Sequence, residues 1–117
     1  MKYSWVGPLL AAGVCATAPA VPAASQRPSP VDAAAIYKQR CAMCHGPEGD
    51  ALVPAQNFTD GEWKRGSSVK QLVDIIRNGV PGTYMVAFKN ILTDAELEAL
   101  ARYVRQFDPR LKARSKR

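Results

Sequence analysis

Histidine is nearly absent from this chain: His45 is the only one among 117 residues. A site that needs two imidazoles from one polypeptide is thereby excluded. Cysteine is scarce as well, three in all, so no dense disulfide framework can form. No apolar run reaches the roughly 18 residues that a membrane span needs. No segment alternates in the manner of a half-buried strand, and no internal repeat is present. A convincing set of acid, base and nucleophile is also missing, which turns the reading away from catalysis.

What is there begins with a leader. Lys2 gives a positive start, "WVGPLLAAGVCATA" is a moderate apolar run carrying Pro8, and small residues follow in "APAVPAAS". That order is the pattern of a secretory signal peptide rather than of an uncleaved membrane helix. Cleavage after Ala20, Ala23 or Ala24 satisfies the small-residue rule equally. Cys15 follows a valine, in "AGVC", where lipoprotein processing prefers a small residue, so it reads as apolar filler lost with the leader. The expected division is a signal peptide over 1–24, a linker over 25–30, one folded domain over 31–108 and a basic tail over 109–117. Export to the periplasm or beyond would place the mature chain in an oxidising compartment. Only Cys41 and Cys44 would remain there, in a chain with a modest core of its own.

Charge is concentrated at one end. From Ser25 to Phe107 there are ten Lys or Arg against nine Asp or Glu, whereas Asp108–Arg117 holds five basic residues and one acidic. An exported protein rarely meets nucleic acid, so "PRLKARSKR" reads as a solvated, frayed end. The alternative is a handle for an acidic protein partner or an anionic membrane surface.

Three helices are expected. The first starts near Ser29 or Pro30, has Asp32 in its first turn, carries Ile36 and Tyr37, and runs into the cysteines. The second has the capping-box pair Ser68 and Gln71, an apolar stripe of Leu72, Ile75 and Ile76, and a stop at Asn78-Gly79. The third has Thr93 and Glu96 as its capping box, Leu97, Leu100, Val104 and Phe107 on one face, and Pro109 to prevent continuation. Between them lie two long irregular stretches, 46–66 and "VPGTYMVAFKN". Loops of that length are uncommon in a small domain unless something other than secondary structure orders them.

Residues 41–49, "CAMCHGPEG", supply the candidate. A structural zinc site needs four ligands, and here the fourth would have to be a carboxylate. A thiol–disulfide oxidoreductase uses C-x-x-C within a strand–helix context that this chain lacks. Haem attachment uses every feature. Two intervening residues let each sulfur reach one vinyl group of a single haem, and the next residue, His45, is carried beneath the iron; C-x-x-C-H is the attachment signature. The haem would then be the missing core around which the loops wrap. For the opposite face of the iron the candidates are a methionine, a residue such as lysine, or an open site. Met43 lies between the cysteines and cannot reach round. Met85, some forty residues on, has both the chemistry and the chain length. His/Met ligation raises the reduction potential relative to bis-histidine and closes the iron to small molecules, which suits electron transfer.

The chain resembles the class I c-type cytochromes, the small monohaem kind, from about Val31 to Phe107. The resemblance rests on "AAAIYKQRCAMCHG", "GVPGTYMVAF" and "LTDAELEALARYVRQF". It implies an all-α fold of three or four helices and long loops around one covalently bound haem c with an exposed edge. It also implies a packed pair of terminal helices, with a small residue such as Ala33 against an aromatic such as Tyr103. It implies Cys41 and Cys44 as attachment points and His45 and Met85 as iron ligands. By the same resemblance, the Pro54 carbonyl accepts from the His45 ring, Trp63 and Arg65 are donors to the haem propionates, and Tyr84 and Phe88 line the pocket. The segment "PAQNFTDGEWKRGS" is most similar to short cytochromes serving terminal oxidases or periplasmic dehydrogenases. One departure stands out, since Val86 follows Met85 where the family usually has proline. The expected function is that of a periplasmic one-electron carrier, not an enzyme, that meets redox protein partners with acidic docking surfaces. The alternative is a dedicated cytochrome subunit of a larger redox enzyme, and a third reading is a ligand-binding or peroxidase haem in which Met85 does not bind.

Overall fold

The computed structural model describes Gly7, Gly13 and residues 30–115. The expected leader, its cleavage sites, Cys15, the linker before Pro30 and the last two basic residues lie outside the described residues, those two glycines apart. Among the described residues five α-helices follow in order: α1 Ala33–Arg40, α2 Ala42–His45, α3 Val69–Asn78, α4 Asp94–Arg105 and α5 Pro109–Ser115. A single 3-10 turn, Pro54–Gln56, interrupts the first long loop. Among the described residues there is no strand, and no helix is long and apolar enough to cross a membrane.

The helix starts are set by side-chain caps. Both expected capping boxes are present. The Ser68 hydroxyl accepts from Gln71 N while Gln71 accepts from Ser68 N, and Thr93 and Glu96 do the same at α4. Each satisfies two donors that a helix N-terminus otherwise leaves open, worth about 1 kcal/mol per cap. Asp32 behaves differently from expectation. It stands just outside α1 as its cap, accepting from Ala35 N at 2.9 Å, so the helix begins at Ala33 rather than at Ser29 or Pro30. The aspartate carboxylate satisfies an N–H that the first turn leaves open, which fixes the start of the helix at this point.

α4 is the central helix, packed against both α3 and α1. Leu97, Leu100, Ala101 and Val104 on its inner face are buried with Leu72 and Ile76 of α3, Tyr37 of α1, and Phe88 and Leu92 from the loop between α3 and α4. Burying such a side chain contributes about 1.5–3 kcal/mol. Where α1 crosses the end of α4 the contact is aromatic: the Tyr37 ring lies 5.4 Å from Tyr103 and 5.1 Å from Phe107. Ala33 is half-buried against the core.

The described part of the expected tail, residues 109–115, corrects an expectation. Pro109 does not open a frayed tail. It is the first residue of α5, whose Leu111 is buried. Proline suits the first helical position because the N–H it lacks would be unpaired there. Asp108 supplies the cap, accepting from Arg110 N at 2.9 Å.

Candidate functional site

The cysteine motif forms one helical turn. Cys41 N donates to Tyr37 O at 2.8 Å, His45 N to Cys41 O at 3.0 Å, and Gly46 N to Ala42 O at 2.8 Å. Positions i, i+3 and i+4 share a helix face, so Cys41, Cys44 and His45 all line one cavity. Met43 points away and is 95% exposed. Tyr37 secures the turn from behind: its hydroxyl donates to Gly46 O at 2.7 Å, and burial pushes its pKa well above the ordinary phenol value. Cys41 and Cys44 are not joined to each other by a disulfide. Burial raises the Cys41 thiol pKa, only partly opposed by Arg40.

The cavity is about 950 Å³ and is lined mainly by apolar side chains from α3, α4 and both long loops. That is at the upper end of the roughly 300–1,000 Å³ typical of cofactor pockets. Trp63, Arg65, Tyr84, Met85 and Phe88 lie on its wall with Cys41, Cys44 and His45.

Pro54 is not on that wall, and its carbonyl is not the partner of the histidine. His45 Nδ1 lies 2.8 Å from Gln56 O. The Pro54 carbonyl instead closes the 3-10 turn by accepting from Asn57 N at 3.3 Å. Proline heads the turn, and the acceptor for the ring falls at its far end. A carbonyl can only accept, so Nδ1 carries the proton and Nε2 keeps its lone pair. Desolvation lowers the His45 pKa despite the opposing effect of the Gln56 bond, and so favours the neutral, ligating form. Phe58, which the sequence did not single out, stacks on the imidazole with centroids 4.5 Å apart and planes 13° apart.

Trp63 also departs from expectation. Its indole N–H is committed to Asp108, with Nε1 donating to Oδ2 at 2.9 Å, so it is not free for a propionate. Asp108 is buried. The hydrogen bonds of Arg110 lead in holding its carboxyl down to about 2. Arg65 is exposed and has no ion-pair partner among the described residues.

Met85 is fixed through its backbone. Val80 N donates to Met85 O at 3.0 Å, and Met85 N donates to Thr83 Oγ1 at 3.1 Å. Gly79, with φ +69°, ends α3 just beneath: a Cβ there would lie 2.6 Å from Met85 O and 2.8 Å from Ala87 N. Only glycine tolerates both that φ and that approach. Beyond the methionine, Phe88 N donates to Ile76 O at 3.0 Å and Lys89 N to Arg77 O at 3.1 Å. The loop is therefore ordered without a proline at Val86.

The family model described as "Cytochrome C oxidase, cbb3-type, subunit III" matches residues 28–104. The cbb3-type cytochrome c oxidase subunit FixP of Azorhizobium caulinodans is 33% identical over 76 residues, covering 59% of this chain and 26% of its own length. The chain thus spans about a quarter of that curated relative. Among solved structures, the c-type cytochrome KustC0563 superposes with a TM-score of 0.58 at 34% identity, over 67% of this chain and 99% of that one. The Kuenenia stuttgartiensis reducing HAO-like protein complex Kustc0457/Kustc0458 contains a chain with TM-score 0.59 and 26% identity, over 68% of this chain and 43% of that one.

Proposed function

Because the chain belongs to the cbb3-type cytochrome c oxidase subunit III family, and is a small c-type cytochrome of all-helical cytochrome c-like fold, we propose that it is the electron-relaying cytochrome subunit of a larger redox assembly. This is the alternative of the sequence reading rather than the freely diffusing carrier. The observation that carries it is the company the chain keeps: one relative is an oxidase subunit and one structural neighbour is part of a multiprotein complex. The free carrier has one observation in its favour, the near-complete match to a short cytochrome chain.

The residues present fit a covalently held haem c. Cys41 and Cys44 would carry the two thioethers, and His45 would offer Nε2 to the iron while Nδ1–H stays on Gln56 O. Such a second bond orients the ring and raises its basicity as a ligand. Met85, on the cavity wall, would be the second iron ligand, held by the Val80–Met85 loop. When bound, the haem supplies a one-electron couple. The polypeptide's part is to clamp the ligands, so that little rearranges between oxidation states, and to keep water from the iron. Val53, Tyr84 and Val86 are exposed apolar residues along the cavity mouth. Exposed apolar surface of this kind is what a partner protein or a haem edge would cover. No acid–base or nucleophilic role is assigned to any of them.

Lys112 and Arg114, exposed on α5, are the charged handle for an acidic partner. The test is size-exclusion chromatography of the native host extract at moderate salt, following haem absorption. This chain is expected to elute with a partner carrying a further haem or metal centre. The double variant Lys112→Gln/Arg114→Gln should shift the dissociating salt concentration downward, since screening acts on exposed charges first. Elution of all the haem as a free chain of about its own mass would return the carrier reading to first place.

A further inference from the structure

We propose that Asp108, together with Arg110, is a positioning residue for the haem cavity: it fixes Trp63 in the cavity wall and makes the segment after α4 part of the site that sets the reduction potential. The proposal rests on the haem reading given above.

Asp108 is a carboxylate at 1% exposure. Its Oδ2 accepts from Trp63 Nε1 at 2.9 Å and from Arg110 Nη2 at 3.1 Å. Its Oδ1 accepts from Arg110 N at 2.9 Å and from Arg110 Nε at 3.2 Å. Every bond to an ionised acceptor of this kind is charge-assisted, roughly twice as strong as a neutral one. Arg110 Nη2 reaches onward to Gly61 O at 2.6 Å. Gly61 has φ +79°, and a Cβ there would collide with the guanidinium. The loop at 61–63 is thus tied to the start of α5 at two points.

A helix cap alone does not call for a buried carboxylate, because most caps work at the surface. Burial here is explained by what the carboxylate meets. The Trp63 ring stacks on Phe58 at 5.5 Å and 11°, and Phe58 stacks on His45 at 4.5 Å and 13°. All three rings line the cavity. Asp108 and Arg110 fall outside the family match, which ends at residue 104.

The charges carry a signed consequence. Oxidised iron holds one more positive charge than reduced iron, so a nearby anion favours the oxidised state and a nearby cation the reduced one. Asp108→Asn keeps an acceptor for the indole but removes the negative charge, and should raise the potential. Arg110→Gln leaves Asp108 less compensated and should lower it. A purely structural pair would move both variants the same way, or neither.

The experiment uses the full-length holoprotein, its potential measured by spectroelectrochemistry and its Trp63 indole N–H exchange by NMR in the reduced state. Opposite shifts are expected for Asp108→Asn and Arg110→Gln. Indole exchange should quicken by about tenfold or more in Asp108→Ala, as a local opening no longer opposed by the carboxylate. Potentials that coincide with the unaltered protein, or shift together, or an unchanged exchange rate in Asp108→Ala, would overturn the proposal while the colour and ligation stayed normal. A colourless unaltered protein would instead strike the haem reading itself. Should the Asp108 variants fail to accumulate, Arg110→Gln decides alone: its potential falls or the proposal is wrong.

Discussion

Met85→Ala is expected to yield a protein that still carries haem but has a lower reduction potential and binds carbon monoxide readily when reduced. The thioether is a soft ligand that favours the reduced iron, so its loss stabilises the oxidised form. A fall of at least about 59 mV is expected, the one-electron equivalent of a tenfold change in equilibrium constant. The fold should survive. The loop is held by main-chain bonds, Val80 N to Met85 O and Phe88 N to Ile76 O, which alanine retains. The effect is therefore one of ligation rather than of unfolding. Unchanged potential and spectrum would mean that another residue faces the iron. Ready carbon monoxide binding by the unaltered protein would favour a ligand-binding or peroxidase haem, in which Met85 stays off the iron.

Removal of both attachment points has the larger structural effect. Cys41→Ala with Cys44→Ala should abolish covalent haem and leave a chain without a cooperative thermal transition. The cavity of about 950 Å³ lies between α2, α3, α4 and the loops. A group that binds only the native state stabilises it by mass action, and covalent tethering keeps that group always present. Small domains hold only about 5–15 kcal/mol of net stability, so losing the group that fills such a cavity removes a large part of it. Circular dichroism of the secreted variant is the check. A helical apoprotein melting as sharply as the holoprotein would show that the polypeptide makes its own core.

How far the sequence could be read depended on whether a feature is local. Ser68 with Gln71 and Thr93 with Glu96 are complete within one helical turn, and both boxes are where the spacing puts them. The stripes Leu72–Ile76 and Leu97–Leu100–Val104 became the core for the same reason. The partner of His45 could not be read this way, because it depends on how the turn at Pro54–Gln56 folds back over eleven residues. Phe58 against the imidazole and Asp108 against Trp63 are likewise contacts across space, the latter over 45 residues. Asp108-Pro109 did carry a local signal: an aspartate before a proline is how many helices start, and the chain does start one there. Taken only as a stop for α4, that proline concealed α5 and with it the tie to the cavity wall.

The central claim is a haem bonded to Cys41 and Cys44, with His45 on one side of its iron and Met85 on the other. It is tested most directly by the absorption spectrum of the oxidised protein after secretion from a host competent in cytochrome maturation. The account predicts a coloured protein whose haem resists acid–solvent extraction and shows the weak sulfur-to-iron charge-transfer band of methionine ligation. A colourless product, or haem that extracts freely from the chain, would contradict it.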